Sequence, residues 1–152
     1  MPSFSTATEA DIPALCHLLS ILFTQEAEFK PDDAAQRRGL GMIIGNPQSG
    51  AILVAREGTQ LLAMVNLLFT VSTALGERVA MLEDMVVAPA ARGTGVGSAL
   101  LQHAIAFAQQ QGARRITLLT DHDNMVAQQF YAKAGFTTSP MIPMRRLLPP
   151  GA

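Results

Sequence analysis

The sequence from Met81 to Leu101 reads MLEDMVVAPAARGTGVGSALL: an apolar strand, a basic glycine-rich loop and the start of a helix. The first four N–H groups of a helix have no partner within the helix, and the helix dipole adds about half a positive charge there. Such a loop can bind an anion. Gly93, Gly95 and Gly97 permit positive φ angles and a close approach of a ligand to the main chain. The stretch therefore predicts a phosphate-binding loop.

Two common phosphate-binding loops do not fit this stretch. A Walker loop ends in Gly-Lys-Ser/Thr, but Gly97 is followed by Ser98 and Ala99, with no lysine. The dinucleotide fingerprint G-x-G-x-x-G fails because Ser98 stands where the third glycine is needed, and because three other predicted strands precede this one. Neither a P-loop NTPase nor a Rossmann domain is predicted.

Two motifs carry a resemblance to a known family. They are Arg-x-x-Gly-x-Gly at residues 92–97 and Asn-x(5)-Phe-Tyr-x-Lys-x-Gly-Phe at residues 124–136. They resemble the pyrophosphate-binding motif and the second coenzyme A segment of the GNAT superfamily of acetyl-coenzyme A-dependent N-acetyltransferases. The similarity is clear from about residue 51 to 137. It implies an α/β fold with a mixed, mostly antiparallel sheet that is split at the fourth strand and has helices on both faces.

Composition bounds the class of protein. A chain of 152 residues that is 49% hydrophobic suits a single domain over residues 1–152. No apolar run reaches 18 residues, and the N-terminus lacks signal-peptide character. Cys16 lies among leucines, which is typical of a buried structural thiol. A net charge of −1 argues against a general affinity for nucleic acid. We expect a cytoplasmic protein with no membrane or nucleic-acid partner.

Hydrophobic periodicity and turn-forming residues such as glycine and proline predict the order of helices and strands. In the first half we expect an edge strand at 3–7, a helix capped by Thr8 or Asp11 and running to about Phe23, a helix from about Asp33 to Ile44, and a hairpin of 51–56 with 61–70. In the second half we expect a strand at 78–88, a helix from the glycine loop to near Gly112, a strand at 116–120, and a helix from the Asn124 cap to Gly135. A last strand is expected at 144–148, and Pro140 and Pro143 leave room for only a short partner strand.

The resemblance implies how coenzyme A would be held. Amides of the loop would bind the pyrophosphate, and the strand before it would split from its neighbour, which this sequence would allow at Ala88-Pro89. Asn124 is either a helix cap alone or a cap that also bonds the pantetheine arm. The predicted contacts are Met85, Val86, Val87, Arg92, Gly93, Thr94, Gly95, Val96, Gly97, Ser98, Asn124 and Tyr131.

Transfer to an amine needs a base, because only the neutral amine attacks, and it helps to have an acid for the departing thiolate. Glu83 and Asp84 are adjacent on a predicted strand, so period two places them on opposite sides of the sheet. Similarity to the polyamine acetyltransferase branch favours Glu83 as base; Asp84 remains a second candidate, and water or the substrate alone a third. The same similarity makes Tyr131 the acid, although its apolar helix face also suits a core aromatic.

The acceptor is left open by the sequence. The joint between the first two helices carries Glu26, Glu28, Asp32 and Asp33. In this family that joint walls the acceptor pocket, so these acids suit a cationic amine such as a polyamine or amino sugar, unless they form a plain solvated loop. The pairs Arg37-Arg38 and Arg145-Arg146 could instead hold a carboxylate or phosphate. No metal is expected, because Asp121-His122-Asp123 has poor ligand geometry.

The preferred function is therefore acetyl transfer from acetyl-CoA to the primary amine of a small molecule, by direct attack in a ternary complex. The alternatives are an inactive coenzyme A-binding sensor or interaction domain, or an enzyme that acts on a protein or amino-acid amine. The apolar tail from Met141 to Leu148 suggests a homodimer that buries it.

Overall fold

The computed structural model describes residues 1–26 and 30–151. Its helices and strands, in chain order, are β1 (Ser3–Thr6), α1 (Ile12–Gln25), α2 (Asp33–Ile44), β2 (Gly50–Glu57), β3 (Gln60–Ser72), β4 (Glu77–Val87), α3 (Val96–Gln110), β5 (Ile116–Leu118) and α4 (Met125–Lys133). Most predicted boundaries fall within a few residues of these.

The described strands form one sheet in the order β1-β2-β3-β4-β5. The first four strands pair antiparallel. Strand β5 joins β4 in parallel, with Ala80 opposite Ile116 and Leu82 opposite Leu118. The parallel pair requires a crossover, and α3 supplies it. The predicted α/β fold with a mixed, mostly antiparallel sheet is confirmed.

Alternation along the central strands produces two cores, one on each face of the sheet. Leu53 and Val65 face a cluster that includes Leu100 and Leu101 of α3. Ile52, Val54 and Met64 face the opposite cluster, which α1 and α2 cover with residues that include Leu15, Leu19 and Leu40. Helices on both faces were predicted, and the two clusters confirm them.

The C-terminal segment differs from the prediction. The last strand expected at 144–148 is absent, since residues 137–151 form no helix or strand. Four prolines in this segment remove backbone donors, and Pro143 directly precedes the expected strand. Its large apolar side chains are exposed, Met144 at 91% and Leu147 at 85%.

Candidate active site

Strand β4 contains a β-bulge that shapes the site. Met64 of β3 pairs with Val86, and Asn66 pairs with Glu83, so two β4 residues, Asp84 and Met85, lie opposite one residue of β3. Asp84 has a φ of 53°, which is the left-handed region and uncommon for a residue other than glycine. Such local strain is frequent at functional sites.

Strands β4 and β5 separate close to this bulge. Their pairing covers only Ala80–Leu82 of β4 and stops at Leu118 of β5. From Glu83 onward, no described strand pairs with β4 on that side. The split was expected at Ala88-Pro89, but it begins about six residues earlier, because the bulge at Asp84 turns the strand before the proline is reached. Two cavities border this part of β4, one on each face of the sheet.

The first cavity, which we call the loop cavity, has a volume of about 500 Å³. It lies between the end of β4, the glycine loop and the start of α4. Its lining residues are Met85, Val87, Ala91, Arg92, Gly93, Gly95, Gly97, Ser98, Asn124, Val126, Ala127, Phe130 and Tyr131. Nine of the predicted coenzyme A contacts are among them.

The glycines of the loop have distinct conformational roles. Gly93 and Gly95 adopt φ angles of 78° and 86°, in the left-handed region that favours glycine. Gly95 caps α3 without a side chain, so the amides of the first turn are left to a ligand or to solvent. At Gly97, a Cβ atom would lie 3.1 Å from Val87 Cγ2 and 3.7 Å from the Phe130 ring. A larger residue at position 97 would therefore press on the Val87 side chain, so glycine suits the close approach of α3 to β4.

Arg92 is held at the mouth of the loop cavity. Its Nε donates to the Val87 carbonyl at 3.2 Å, and its side chain is exposed. This bond places the guanidinium beside the loop, where a positive charge favours a phosphate. The residues and the backbone present therefore fit the pyrophosphate of coenzyme A.

Three predicted contacts do not line the loop cavity. Val86 is buried in the core beneath α1 and α2, and Val96, the first residue of α3, is buried in the core on the other face of the sheet. The Thr94 hydroxyl donates to the Ala91 carbonyl and thereby closes the turn. The sequence had assigned these positions through their backbone, so their side chains were not expected to contribute. Phe130 and Val126 were missed as cavity residues, although Phe130 precedes the selected Tyr131.

Tyr131 lines the loop cavity and is also packed among aromatic rings. Its ring contacts Phe130 and Phe136 edge to face, with centroids 5.2 and 5.8 Å away. Burial, and secondly the nearby charge of Glu26, raise the pKa of Tyr131 to about 12. The phenol therefore keeps its proton at neutral pH and is available as a donor.

Asn124 acts as the predicted cap of α4. Its Oδ1 accepts a hydrogen bond from the Ala127 amide at 3.1 Å. Asn124 also lines the loop cavity, which leaves its Nδ2 group near any ligand bound there. The cap is confirmed, and contact with a pantetheine arm stays a prediction.

The second cavity, which we call the helix cavity, lies on the opposite face of the sheet and has a volume of about 330 Å³. Helices α1 and α2 cover it, and β3 and β4 form its floor. Its lining residues are Leu19, Phe23, Lys30, Asp32, Ala35, Gln36, Gly39, Leu40, Ile43, Asn66, Glu83 and Asp84. Strand β4 therefore borders both cavities, with Asp84 lining one and Met85 lining the other.

Both candidate bases lie in the helix cavity, so their placement on opposite sides of the sheet was wrong. The left-handed backbone at Asp84 breaks the period-two alternation and keeps its side chain near Glu83. Burial, and secondly the Glu83 charge, raise the pKa of Asp84 to about 6, against a hydrogen bond from Asn66 that lowers it. Glu83 is the more exposed of the two.

Asn66 is a site residue that the sequence analysis missed. It is 2% exposed, and its Nδ2 donates to Asp84 Oδ2 at 2.6 Å. Its Oδ1 is buried and has no hydrogen-bond partner among the described residues. A signal existed in the sequence, because Asn66 is the one amide within the apolar run Leu61–Phe69.

Gln36 fixes the two helices that cover the helix cavity. Its Nε2 donates to the Cys16 carbonyl and to Ser20 Oγ, both at 3.1 Å, and its Oε1 accepts from the Asp32 amide at 2.7 Å. Cys16 is 2% exposed, and burial raises the pKa of its thiol, with a further contribution from Asp33. The structural role predicted for this cysteine is confirmed.

The acidic residues of the joint between α1 and α2 have different surroundings in the structure. Asp32 caps α2 and lines the helix cavity, whereas Asp33 accepts from Arg37 Nε at 2.8 Å and does not line it. Glu26 lies near enough to Tyr131 to affect its pKa. Glu28 lies outside the described residues.

Other predicted features lie away from the cavities. Neither arginine pair lines either of them. Within residues 1–26 and 30–151, no three His, Cys, Asp or Glu side chains gather as metal ligands. No helix in this part of the chain is long and apolar enough to cross a membrane.

Comparisons with known proteins agree with this geometry. A family profile described as Acetyltransferase (GNAT) family matches residues 12–136. An uncharacterized N-acetyltransferase of Bacillus subtilis, YhfO, is 36% identical over 85 residues, or 56% of this chain. The matching region spans only 57% of that relative's length.

Solved structures resemble the whole fold. A putative acetyltransferase from Agrobacterium tumefaciens aligns with a TM-score of 0.81 at 26% identity, covering 95% of this chain and 99% of that one. A predicted acetyltransferase from Clostridium acetobutylicum, crystallised with acetyl-CoA, aligns at 0.78 with 19% identity over 96% of each chain, which supports the fold alone. The chain belongs to the GNAT family of acetyltransferases, whose acyl donor is acetyl-CoA.

Proposed function

We propose that the protein transfers the acetyl group of acetyl-CoA to the primary amine of a small molecule, by direct attack in a ternary complex. The observation that carries this proposal is the position of β4 between the two cavities. Asp84 lines the helix cavity and Met85, the next residue, lines the loop cavity. An amine in the helix cavity and a thioester in the loop cavity would meet at the gap between β4 and β5.

Asp84 is the base that the structure supports best. An alkylamine has a pKa near ~10.4 and is almost fully protonated at pH 7, so it must lose a proton before it attacks. With a pKa of about 6, Asp84 is ionised at neutral pH and more basic than an ordinary carboxylate. Glu83, the base favoured by resemblance, adds negative charge beside the ammonium and is the second candidate.

Tyr131 serves the leaving group in this proposal. Acetyl-CoA would supply the acetyl group as a thioester, and the sulfur would depart as the C–N bond forms. Because the pKa of Tyr131 is about 12, above the ~8.5 of an ordinary thiol, its hydroxyl is suited to stabilise the sulfur by a hydrogen bond rather than by complete proton transfer. The ammonium loses two protons: one passes through Asp84 to solvent before the attack, and the second, released as the amide forms, protonates the departing thiolate, so the products are an amide and a thiol.

The acceptor is expected to be cationic before it reacts. Glu83 and Asp84 line the inner end of the helix cavity, and Asp32 lies on its wall. Polyamine-like acceptors and amino sugars both belong to this class.

Thiol release from acetyl-CoA, followed across a panel of amines, tests the function. Release that depends on the amine and yields the acetylated amine supports the proposal. Acetyl-CoA binding without release for any amine would instead identify a coenzyme A-binding domain that lacks catalysis. Release only with peptides or amino acids would favour the other alternative.

We also propose that the protein forms a homodimer through its tail. The side chains of Met141, Ile142, Met144, Leu147 and Leu148 are between 78% and 91% exposed. Exposed apolar surface of this kind usually marks an interaction site. Light scattering is expected to give twice the chain mass of 16.2 kDa, and a Met144→Asp, Leu147→Asp variant should be monomeric. A monomer for the unsubstituted protein contradicts this proposal.

A further inference from the structure

The walls of the helix cavity are chemically asymmetric. The sheet contributes three polar residues, Asn66, Glu83 and Asp84. The helices contribute mainly apolar side chains, among them Leu19, Phe23, Leu40 and Ile43. Lys30 and Asp32 come from the start of α2 and the joint before it, and both are exposed. One end of the cavity is therefore polar, and most of its wall is apolar.

The polar end lacks donors. Asn66 Oδ1 is buried without a partner among the described residues, and the neighbouring Asp84 carboxylate accepts from Asn66 Nδ2. A buried acceptor without a donor costs free energy. An ammonium group has three N–H donors, and Asp84 and Glu83 line this cavity with carboxylates that can accept from them, beside the Asn66 amide, whose Oδ1 is itself buried. The polar end thus suits one primary ammonium group.

One further carboxylate, Asp32, lines the cavity, but it is exposed and its Oδ1 accepts from the Ala35 amide at the start of α2, so it is less suited than the polar end to hold an ammonium group. Gln36 is the polar side chain that α2 contributes, and both ends of its amide are already bonded to the protein. A second ammonium or a set of sugar hydroxyls placed against Leu19, Leu40 and Ile43 would be desolvated without partners, which is unfavourable.

Gly39 provides room along this wall. It lies within α2, where glycine is less favourable than alanine, and a Cβ atom built on it would meet nothing within 4 Å. The side chain that is missing here leaves space for part of a ligand. Gly41 lies in the same helix and also has nothing within 4 Å, but it does not line the cavity.

We propose that the acceptor is a compact primary monoamine with an uncharged apolar body, such as a branched alkylamine or an arylalkylamine, whose body lies against α1 and α2 beside Gly39. This inference rests on the proposed function and narrows it: polyamines and amino sugars become poor acceptors. Gly39 is then the residue that determines how large the apolar body can be.

Kinetics with 3-methylbutylamine, phenethylamine, ethylamine, putrescine and glucosamine test this inference. We expect kcat/KM for the first two amines to exceed that for putrescine and glucosamine by about tenfold or more. Gly39→Leu should lower kcat/KM for phenethylamine by a similar factor, spare ethylamine, and leave the acetyl-CoA-induced shift in Tm unchanged. Gly41→Leu should behave as the parent, and because leucine is a better helix former than glycine, both variants should fold.

The outcomes separate the two proposals. If putrescine or glucosamine is the better acceptor, or if Gly39→Leu leaves the preference among amines unchanged, the inference is wrong while the acetyltransferase function stands. If acetyl-CoA shifts Tm but no amine in any panel causes thiol release, the proposed function fails and the inference fails with it.

Discussion

The loop cavity is lined by two short segments, residues 85–98 with their glycine loop and residues 124–131, whereas the helix cavity is lined by residues from two helices, the joint between them and two strands. Both border β4, but their construction differs. A site made from backbone leaves a pattern in the sequence, because only glycine permits the required φ angles and close contacts. A site made from side chains of distant segments leaves no such pattern. The glycine pattern of the loop cavity could therefore be predicted from the sequence, whereas the helix cavity could not.

The largest effect is expected from Gly95→Val. A β-branched residue at a φ of 86° is strained, and its side chain would enter the loop cavity. Acetyl-CoA should then no longer raise the Tm of the variant. It should raise the Tm of the parent, because a ligand at a hundredfold excess over its Kd stabilises the native state by about 2.7 kcal/mol. Differential scanning fluorimetry measures this shift.

Gly58→Val is the matched control for Gly95→Val. Gly58 has a φ of 60° in the β2–β3 turn, away from both cavities. It should lose stability from the same backbone strain yet keep the acetyl-CoA shift. An unchanged shift in the Gly95→Val variant would show that the loop does not bind coenzyme A.

Asp84→Asn should remove the base in the helix cavity without affecting the loop cavity. We expect kcat to fall by ~10²- to 10⁴-fold, which is typical of a positioned base, with the acetyl-CoA shift in Tm intact. In the parent enzyme, kcat/KM should rise with pH through about 6 as Asp84 ionises.

Glu83→Gln distinguishes the two carboxylates. The Glu83 charge contributes to the raised pKa of Asp84, so its removal should move the rise in kcat/KM to lower pH without abolishing it. If Glu83→Gln abolishes the rise and Asp84→Asn preserves it, the base is Glu83.

Tyr131→Phe should have a smaller effect, of ~10²-fold on kcat. The ring contacts with Phe130 and Phe136 are preserved in this variant, so acetyl-CoA affinity and Tm should match the parent. Since an ordinary thiol has a pKa of ~8.5, the thiolate can leave without help and a residual rate is expected. Equal turnover in both proteins would leave Tyr131 as a packing residue only.

The smallest effect concerns stability. The pKa of Asp84 is raised from 3.8 to about 6, so its stabilising contribution is fully present below pH 4 and is lost as pH rises through 6. The shift corresponds to about 3 kcal/mol at neutral pH, as an order of magnitude. Asp84→Asn should therefore be more stable than the parent at pH 7.5 and similar to it at pH 4. Urea unfolding at both pH values measures the difference, and a destabilised variant at pH 7.5 would contradict it.

The order of elements and much of the loop cavity could be predicted from the sequence. The helical and strand periods place the elements, and the glycine loop and the Asn124 cap are local features whose geometry depends on neighbouring residues. Apart from the last strand, these features lie in the structure close to their expected positions.

What escaped prediction depends on tertiary contacts. The positive φ of Asp84 arises at a bulge against β3, so the period-two rule misplaced its side chain. Asn66 lines the helix cavity only because β3, β4 and the two helices pack around it, and this tertiary arrangement leaves no local pattern in the sequence. The residues expected to form the last strand, 144–148, lie between Pro143 and the Pro149-Pro150 pair, which fix φ and lack N–H donors on both sides of them.

The bulge in β4 also makes the length of that strand, rather than the identity of its side chains, the property under the tightest constraint. Asp84 lines the helix cavity and Met85, the next residue, lines the loop cavity. Removing a single residue from this segment would shift the register by one, so that the side chain of each residue that follows would face the opposite side of the sheet. A point substitution here changes the chemistry at one position, whereas a one-residue deletion would change which residues face each of the two cavities.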